Sequence, residues 1–258
     1  MLHIRPLPAF TDNYIWLLTD GSAHAAVVDP GAAEPVLTAL AAAQLILTAI
    51  VLTHHHRDHL GGVDQLQAAF PAVRVYGADD RRIPQVTERV NGGDHLQLAG
   101  LEAHFEVLAV PGHTSTHLAY LGEGRLFCGD TLFAAGCGRV FDGTHAQLAA
   151  SLAQLAALPK DTMCYCAHEY TLDNLGFAQW VEPNSAAIAE RLITEQARRE
   201  MNVPTIPSSL ALELATNPFL RINEPEVIAA AERAAGQKLN TAVEVFTALR
   251  QWKDREYD

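Results

Sequence analysis

The chain has 258 residues, of which 49% are hydrophobic and 19% are charged, the balance of a globular protein with a sizeable core. This length permits one large domain or a domain with a smaller appendage. The formal net charge of −12 argues against a nucleic-acid partner, because nucleic-acid binding requires a basic surface.

Nothing in the sequence predicts disulfides or a membrane partner. The cysteines at 128, 137, 164 and 166 form no C-x-x-C pair, and reduced thiols favour a cytoplasmic protein. The first six residues lack the apolar core of a signal peptide. Residues 35–53 carry no charge and could span a bilayer in length, but Gln44 divides them into a helix and a strand.

The first two thirds of the chain predict an α/β fold. Period-two and short apolar runs predict strands near 14–18, 25–28, 45–53, 73–76, 94–98, 101–110, 117–121, 125–128 and 163–166. Helices are predicted at 35–44, from Gly61-Gly62 to Phe70, and from an N-cap at Thr144 to Leu158.

After Tyr170 the pattern changes. No run beyond residue 172 is typical of a strand, and helices are predicted at 185–201, 224–235 and 240–253, separated by prolines. We therefore place a boundary near 173, with an α/β domain at 1–173 and a small helical domain at 174–258.

The run His54-His55-His56-Arg57-Asp58-His59 fits the pattern H-x-H-x-D-H and offers four metal ligands in six positions. It follows a predicted strand. Residues two apart in an extended segment point to the same face, so His54 and His56 can reach one ion. Asp58 and His59 follow as the chain turns and can reach a second. Imidazole and carboxylate suit zinc, iron or manganese, whereas a purification tag would lie at a terminus and lack the interleaved Arg and Asp.

Three further candidate ligands, His113, Asp130 and His168, each follow a strand-like segment. Loops at strand ends of a rigid scaffold commonly carry functional residues. Alone, each is more typical of an ordinary turn or core residue. Their joint presence, in this order after H-x-H-x-D-H, predicts a complete ligand set.

The order of these motifs resembles the metallo-β-lactamase superfamily, and within it the glyoxalase II family, the hydroxyacylglutathione hydrolases. The similarity covers nearly the whole chain. It is carried by segments 9–14 (AFTDNY), 136–139 (GCGR), 168–171 (HEYT), 217–221 (NPFLR) and 249–254 (LRQWKD). The metal motif alone indicates the superfamily, and the helical C-terminal part with Arg250 and Lys253 indicates the family.

The resemblance implies an αββα sandwich with a metal site at one edge and a small C-terminal all-helical domain. It also implies two sets of ligands with a shared carboxylate, and a His55 that points away from the ions. In these sets, His54, His56 and His113 hold one ion, Asp58, His59 and His168 hold the other, and Asp130 bridges them.

The reaction implied is hydrolysis of S-(2-hydroxyacyl)glutathione, chiefly S-D-lactoylglutathione, to glutathione and D-lactate, the second step of methylglyoxal detoxification. Two divalent ions, with zinc first and iron or manganese as alternatives, would supply a bridging hydroxide that attacks the thioester carbonyl. Asp58 and Asp130 are then expected to be catalytic as well as ligands. The leaving group is a thiolate whose conjugate acid has a pKa of ~8.5, so no strong general acid is required.

The resemblance assigns glutathione binding to Arg139, Tyr170, Arg250 and Lys253. Arg250 and Lys253 are three apart on a predicted helix and share a face. From the charge pattern alone, they would be a solvated face paired with the nearby acids. Guanidinium groups suit the carboxylates of glutathione, and we expect a small-molecule substrate and a monomer.

Two departures from the family pattern stand out. Phe141 occupies a substrate-binding position where relatives often carry Tyr, so a hydroxyl contact is lost there. The segment after His113 reads Ser115-Thr116-His117 rather than ending in Gly-His, and we expect His117 to have a surface or supporting role.

Other functions on the same scaffold predict other residues. A β-lactamase typically lacks a ligand such as His59 and often has a ligating Cys. A persulfide dioxygenase uses one iron and lacks the helical tail with Arg250 and Lys253. A nuclease would have a basic surface and an added domain, and a diiron electron-transfer protein would carry a flavin domain. A metal-binding protein without catalysis would show no chelator-sensitive hydrolysis.

Overall fold

A computed structural model describes residues 2–257 of the chain. The strands, in chain order, are β1 His3–Ala9, β2 Asn13–Thr19, β3 His24–Val28, β4 Ile46–Val51, β5 Arg74–Gly77, β6 Glu88–Arg89, β7 His95–Gln97, β8 His104–Ala109, β9 Leu118–Gly122, β10 Arg125–Gly129, β11 Leu132–Phe133, β12 Gly136–Cys137, β13 Met163–Cys166 and β14 Ser208–Ser209. The helices are α1 Ala33–Ala43, α2 Arg57–Leu60, α3 Val63–Ala69, α4 His145–Ala156, α5 Thr171–Val181, α6 Ala186–Glu200, α7 Leu210–Thr216, α8 Pro225–Ala235 and α9 Ala242–Glu256.

The chain forms two compact units, each made of two separate stretches of the sequence. The first contains the residues up to Val110 together with Thr116–Gly129. The second contains Pro111–Ser115 together with the residues from Asp130 onward.

The first unit is built on a sheet of order β1-β2-β3-β4-β5-β6. The pairs β1–β2 and β2–β3 are antiparallel, and from β3 to β6 the strands run parallel. Helices α1 and α3 cover one face, where Val36, Leu40 and Leu66 pack with Val27 and Ile50 in one buried cluster. Parallel pairing brings the ends of β3 and β4 side by side, and this positions the first group of candidate ligands.

The strands β7 to β10 form an antiparallel second sheet in the same unit. The Tyr120 hydroxyl on β9 donates to the carbonyl of Leu52, 2.7 Å away, just after β4. The Leu118 amide donates to the carbonyl of Thr53 at 2.9 Å. These two bonds fix the chain where it leaves β4 and enters the His-rich run.

The second unit contains helices α4 to α9 with two short strand pairs, β11–β12 and β13–β14. Helices α5 and α6 pack on the β11–β12 turn through Ala135, Leu175, Ala178 and Ile188. Helix α9 begins with a capping box formed by Thr241 and Glu244, which satisfies two backbone amides that the first helical turn leaves unpaired.

Most predicted elements match the structure within a few residues, including β13 and the N-cap of α4, where Thr144 accepts from the Gln147 amide at 3.1 Å. The expectation of no strand beyond 172 is wrong, because Ser208–Ser209 pair with β13. Two residues after a proline carry no periodic signal, so only the partner strand defines β14. Helices α2, α5 and α7 had no predicted counterpart.

Helix α1 and strand β4 divide the uncharged stretch 35–53 as predicted. Across residues 2–257, none of the helices combines the length and the apolar character that crossing a membrane requires.

Candidate functional site

In the first unit, the candidate ligands follow the buried strand β4. His54 and His59 are fully buried, and helix α2 turns the chain so that Asp58 and His59 face back toward His54. The His54 Nε2 and His56 Nδ1 atoms are 3.0 Å apart, and the His59 Nε2 and Asp58 Oδ2 atoms are 3.5 Å apart. The rings of His54 and His59 are 4.1 Å apart between centroids. The four predicted ligands of this unit therefore lie together.

Asp29, at the end of β3, anchors this group from behind. One carboxylate oxygen accepts the Thr53 amide at 2.8 Å, and the other accepts the Thr53 hydroxyl at 2.7 Å and lies 3.1 Å from His59 Nδ1. Thr53 Oγ1 in turn lies 3.0 Å from His54 Nδ1. The Nδ1 atoms of both imidazoles thus lie close to Asp29 or Thr53, which orients each ring with its Nε2 toward the candidate ligand group.

Asn13, in the segment 9–14, and Gly31, after strand β3, both contact Asp58. The Asn13 amide lies 3.2 Å from Asp58 Oδ2, to which it donates. Gly31 packs against the Asp58 backbone so closely that a Cβ there would lie 1.8 Å from its carbonyl oxygen. Only glycine permits this approach, so Gly31 fixes where Asp58 can stand.

In the second unit, Asp130 lies between two histidines. His113 Nε2 is 3.5 Å from Asp130 Oδ2, and His168 Nε2 is 3.5 Å from Asp130 Oδ1. All three side chains are buried. Each carboxylate oxygen therefore faces a different imidazole. His113 is oriented by Nδ1, which lies 2.7 Å from the Arg139 carbonyl oxygen.

Gly138 allows the close approach of Asp130 and His113. A Cβ on Gly138 would lie 2.0 Å from the Asp130 carbonyl oxygen and 2.8 Å from His113 Nδ1. The segment from Asp130 to Arg139 must therefore fold tightly over itself.

Buried polar groups hold the same segment from the helical side. Glu213, fully buried, accepts the Ala135 amide at 2.7 Å and pairs with the Arg191 guanidinium at 2.6 Å. The Asn217 amide donates to the carbonyls of Phe133 and Gly136 at 3.2 and 2.9 Å. A buried ion pair with satisfied hydrogen bonds fixes geometry more than it adds stability.

A cavity of about 260 Å³ opens beside this segment. It contains the four residues predicted to bind glutathione; its lining is Phe133, Cys137, Arg139, Tyr170, Asp173, Asn174, Arg250 and Lys253. The two C-terminal cations are buried, with Lys253 Nζ 5.5 Å from the centre of the Tyr257 ring. A cavity of this size with three cations suits a small polyanionic molecule.

Tyr170 connects the cavity to the ligand group. Its ring stacks on His168 at 4.7 Å between centroids, with 9° between the planes, and Phe133 meets both rings edge-on. Phe141, in contrast, is 65% exposed and lies outside the cavity lining, with its ring 5.2 Å edge-on to His113. The structure therefore brings Arg139, Tyr170, Arg250 and Lys253 together and sets Phe141 beside His113.

The spacing of the donor atoms fits divalent metal ions. Two nitrogen or oxygen donors, each ~2.1 Å from one ion in tetrahedral geometry, lie roughly 3.4 Å apart. The four ligand pairs within the units are separated by 3.0 to 3.5 Å. An all-imidazole and carboxylate donor set matches zinc, iron or manganese.

His117 has the supporting position expected for it: it is buried, and its ring stacks on His54 at 4.6 Å with 19° between the planes. No sequence pattern assigned a role to Asp29 or Glu213, whereas the charge pattern alone predicts the pairing of Asp254 with Arg250 that the structure contains. Asn13 and Asn217 lie in segments that carried the family resemblance, and this was their only signal.

Comparisons with known proteins agree with this architecture. Residues 9–168 match the metallo-beta-lactamase superfamily, and residues 169–256 match the family described as hydroxyacylglutathione hydrolase C-terminus. The hydroxyacylglutathione hydrolase of Alkalilimnicola ehrlichii is 53% identical over 256 residues, covering 99% of this chain and 100% of that protein.

Two solved structures are also similar. ETHE1 from Myxococcus xanthus superposes with a TM-score of 0.68 at 25% identity, covering 99% of this chain and 93% of its own. TTHA1623, solved in a di-iron-bound form, superposes with a TM-score of 0.60 at 25% identity, covering 84% of this chain and 100% of its own. These matches confirm the predicted fold, an α/β metallo-β-lactamase fold with a C-terminal helical region. The chain belongs to the hydroxyacylglutathione hydrolase family of the metallo-β-lactamase superfamily.

Proposed function

We propose that this chain is a metal-dependent thioester hydrolase that converts S-D-lactoylglutathione, and other S-(2-hydroxyacyl)glutathiones, to glutathione and the 2-hydroxy acid. The observation that carries the proposal is the cationic cavity of the second unit, whose wall residue Tyr170 stacks directly on His168. Family membership over nearly the full chain supports the same reaction.

The chain would hold two divalent ions. His54, His56 and His113 form the ligand set of the first, Asp58, His59 and His168 that of the second, and Asp130 is shared. The donor spacings and the anchored Nδ1 atoms support these roles. We expect zinc first, and the di-iron form of a relative supports iron as an alternative to zinc or manganese. When bound, such ions lower the pKa of water toward ~7 and polarise a carbonyl oxygen.

The protein's own residues orient the reacting groups. Asn13 holds one oxygen of Asp58, so that this carboxylate can accept a hydrogen bond from the attacking water in a fixed direction. Arg139, Arg250 and Lys253 would bind the carboxylates of glutathione, and Tyr170 would contact the peptide. The glutathione thiolate leaves without a strong general acid, because its conjugate acid has a pKa of ~8.5.

We infer that the two domains predicted from the sequence have separate roles. Residues 1–173 would form the metal-binding catalytic domain and residues 174–258 the glutathione-binding domain. The two family matches meet at residues 168 and 169, which supports a boundary in this region. We propose a cytoplasmic monomer without a nucleic-acid or membrane partner.

Hydrolysis of S-D-lactoylglutathione, with and without a chelator and with metal added back, tests this function. A lactoyl thioester of a simple thiol, which lacks both glutathione carboxylates, is the matched substrate. We expect metal-dependent turnover that falls steeply on the simple thioester. Absence of turnover at full metal occupancy would refute the hydroxyacylglutathione assignment, and equal turnover of both thioesters would refute the glutathione site.

A further inference from the structure

The glutathione cavity of the second unit carries both signs of charge. Three of its lining residues are cations, Arg139, Arg250 and Lys253. Asp173 is the one carboxylate among the described residues that line it. A site that binds only anionic groups is not expected to contain this carboxylate, because the carboxylate would repel the ligand.

The position of Asp173 is fixed by its neighbours. It lies in the first turn of α5, three residues after Tyr170 and therefore on the same side of the helix. Next to it, Asn174 is buried and donates to the Ala134 carbonyl at 3.0 Å, which ties this turn to the segment that forms the cavity wall. The Asp173 backbone is thus held at the cavity.

The carboxylate of Asp173 itself is exposed. Across residues 2–257, it takes part in no hydrogen bond or ion pair with another side chain. An acidic residue in a first helical turn also interacts favourably with the helix dipole, which is the ordinary reason for an aspartate here. That interaction does not depend on any ligand, so the two roles differ in a measurable way.

Glutathione carries the complementary charges: two carboxylates and the α-ammonium of its γ-glutamyl residue. We infer that Asp173 binds this ammonium and so selects the intact γ-glutamyl end of the substrate. This inference rests on the proposed function and assigns the residue that distinguishes a γ-glutamyl thioester from other dicarboxylate thioesters. An exposed contact between a carboxylate and an ammonium changes affinity by about 2- to 5-fold.

The test compares two substrates on matched variants. One is S-D-lactoylglutathione, and the other is the same thioester with the α-ammonium replaced by hydrogen. Asp173→Asn should raise KM about 2- to 5-fold for the first with kcat unchanged, and should leave KM for the second unchanged or lower it slightly, because a repelling charge is removed. Asp173→Lys should raise the first KM further and lower the second. Asp161→Asn, an exposed aspartate outside the cavity lining, should change neither.

Equal changes in KM for both substrates would overturn the inference, since they would indicate a general charge or helix effect. No change with either substrate would overturn it as well. Failure of the proposed function is a separate result, in which the metal-loaded wild type hydrolyses neither thioester. Asp173 is then tested by calorimetric Kd values for S-methylglutathione and its deaminated analogue. Equal affinities in wild type and Asp173→Asn would overturn the inference.

Discussion

The guanidinium of Arg250 donates a hydrogen bond of 2.9 Å to the backbone carbonyl of Cys137, 113 residues earlier in the chain. The same side chain, only 1% exposed, donates to Asp254 at 2.9 and 3.1 Å, and Arg139 lies 3.9 Å from that aspartate. Arg250 therefore joins helix α9 to strand β12 and shares Asp254 with Arg139, besides lining the cavity.

Replacement of Arg250 should affect both binding and stability. We expect Arg250→Ala to raise KM for S-D-lactoylglutathione by more than about 10-fold and to lower kcat far less, because the lost contacts are made equally in the ground and transition states. It should also lower the free energy of unfolding by about 1–3 kcal/mol, since Cys137 and Asp254 lose buried partners. Arg250→Lys keeps the charge but loses the planar guanidinium with its several donors. Its KM and its free energy of unfolding should therefore lie between those of the wild type and of Arg250→Ala.

Steady-state kinetics and thermal unfolding measure the two effects of these variants. Arg255→Ala, on the same helix but exposed, is the matched control and should change neither KM nor stability. A large fall in kcat with an unchanged KM would contradict the binding role of Arg250.

Local sequence signals were sufficient for much of the fold and for the ligand groups. The pattern H-x-H-x-D-H identifies the run from His54 to His59 directly, and His113 and His168 follow strands with recognisable apolar runs. Asp29 could not be found in this way, because Asp29-Pro30-Gly31 is typical of a turn. Its partner His59 comes 30 residues later, and only the parallel pairing of β3 with β4 brings the two together.

The same reason explains why Glu213 was missed. Its partners, Ala135 and Arg191, are distant in sequence, and a glutamate on a short helix carries no sign of burial. Helix α5 was missed because both of its faces carry apolar residues, so the 3.6-residue period is weak. Residues that support a site through long-range contacts leave no local pattern.

Asp29→Asn should weaken metal binding without removing any ligand. The substitution takes away the negative charge that lies 3.1 Å from His59 Nδ1, while Asn tolerates the positive φ of 52° at this position. We expect metal affinity to fall about 10- to 100-fold. Metal retained after dialysis against a chelator gives the readout. Asp64→Asn on the surface of α3 should retain metal as the wild type does, and equal retention in Asp29→Asn would contradict a supporting role for Asp29.

Gly138→Ala should disrupt the group formed by His113, Asp130 and His168. Its Cβ would meet the Asp130 carbonyl oxygen at 2.0 Å, so the segment must move. We expect loss of at least one of the two ions and of most activity, measured by metal analysis of the purified protein. Gly93→Ala is the control: it introduces strain at a φ of 93° but has nothing within 4 Å of the new Cβ. It should cost about 1 kcal/mol and leave metal content intact.

The ionised carboxylate of Asp80 should contribute to the free energy of unfolding, and this contribution should be lost in acid. The Arg82 guanidinium donates to Asp80 at 2.6 Å and holds the pKa of this carboxyl well below its usual range, helped by the Thr116 hydroxyl at 2.6 Å and opposed by burial. A folded-state pKa below the unfolded value of ~3.9 stabilises the protein above about pH 4, and this contribution is lost as the pH falls further.

Asp80→Asn should therefore lower the free energy of unfolding by about 1–2 kcal/mol at pH 7 and by less at pH 3. Urea unfolding of the metal-free proteins at both pH values measures this. Asp79→Asn breaks only an exposed pair with Arg89 and should have little effect at either pH. A deficit for Asp80→Asn that stays constant from pH 7 to pH 3 would contradict the assignment.

Cys137 lines the cavity that would hold the glutathione thioester, and its thiol should be inert. Burial raises the pKa of the Cys137 thiol to about 11, despite the opposing charge of Arg250, and raises that of Cys166 to about 12. At pH 8 only about one Cys137 thiol in a thousand is then a thiolate. A thiolate in this cavity would attack the substrate thioester and trap the acyl group on the protein, so the raised pKa protects turnover.

We expect no acylated protein by intact mass after incubation with S-D-lactoylglutathione, and little change in kcat for Cys137→Ala. Native protein should react with iodoacetamide at pH 8 far more slowly than a free cysteine. Denatured protein should expose all four thiols, because Cys128, Cys137, Cys164 and Cys166 are all free and buried. Rapid native labelling of Cys137, or an acyl adduct at this position, would mean that the cavity wall opens enough to ionise the thiol.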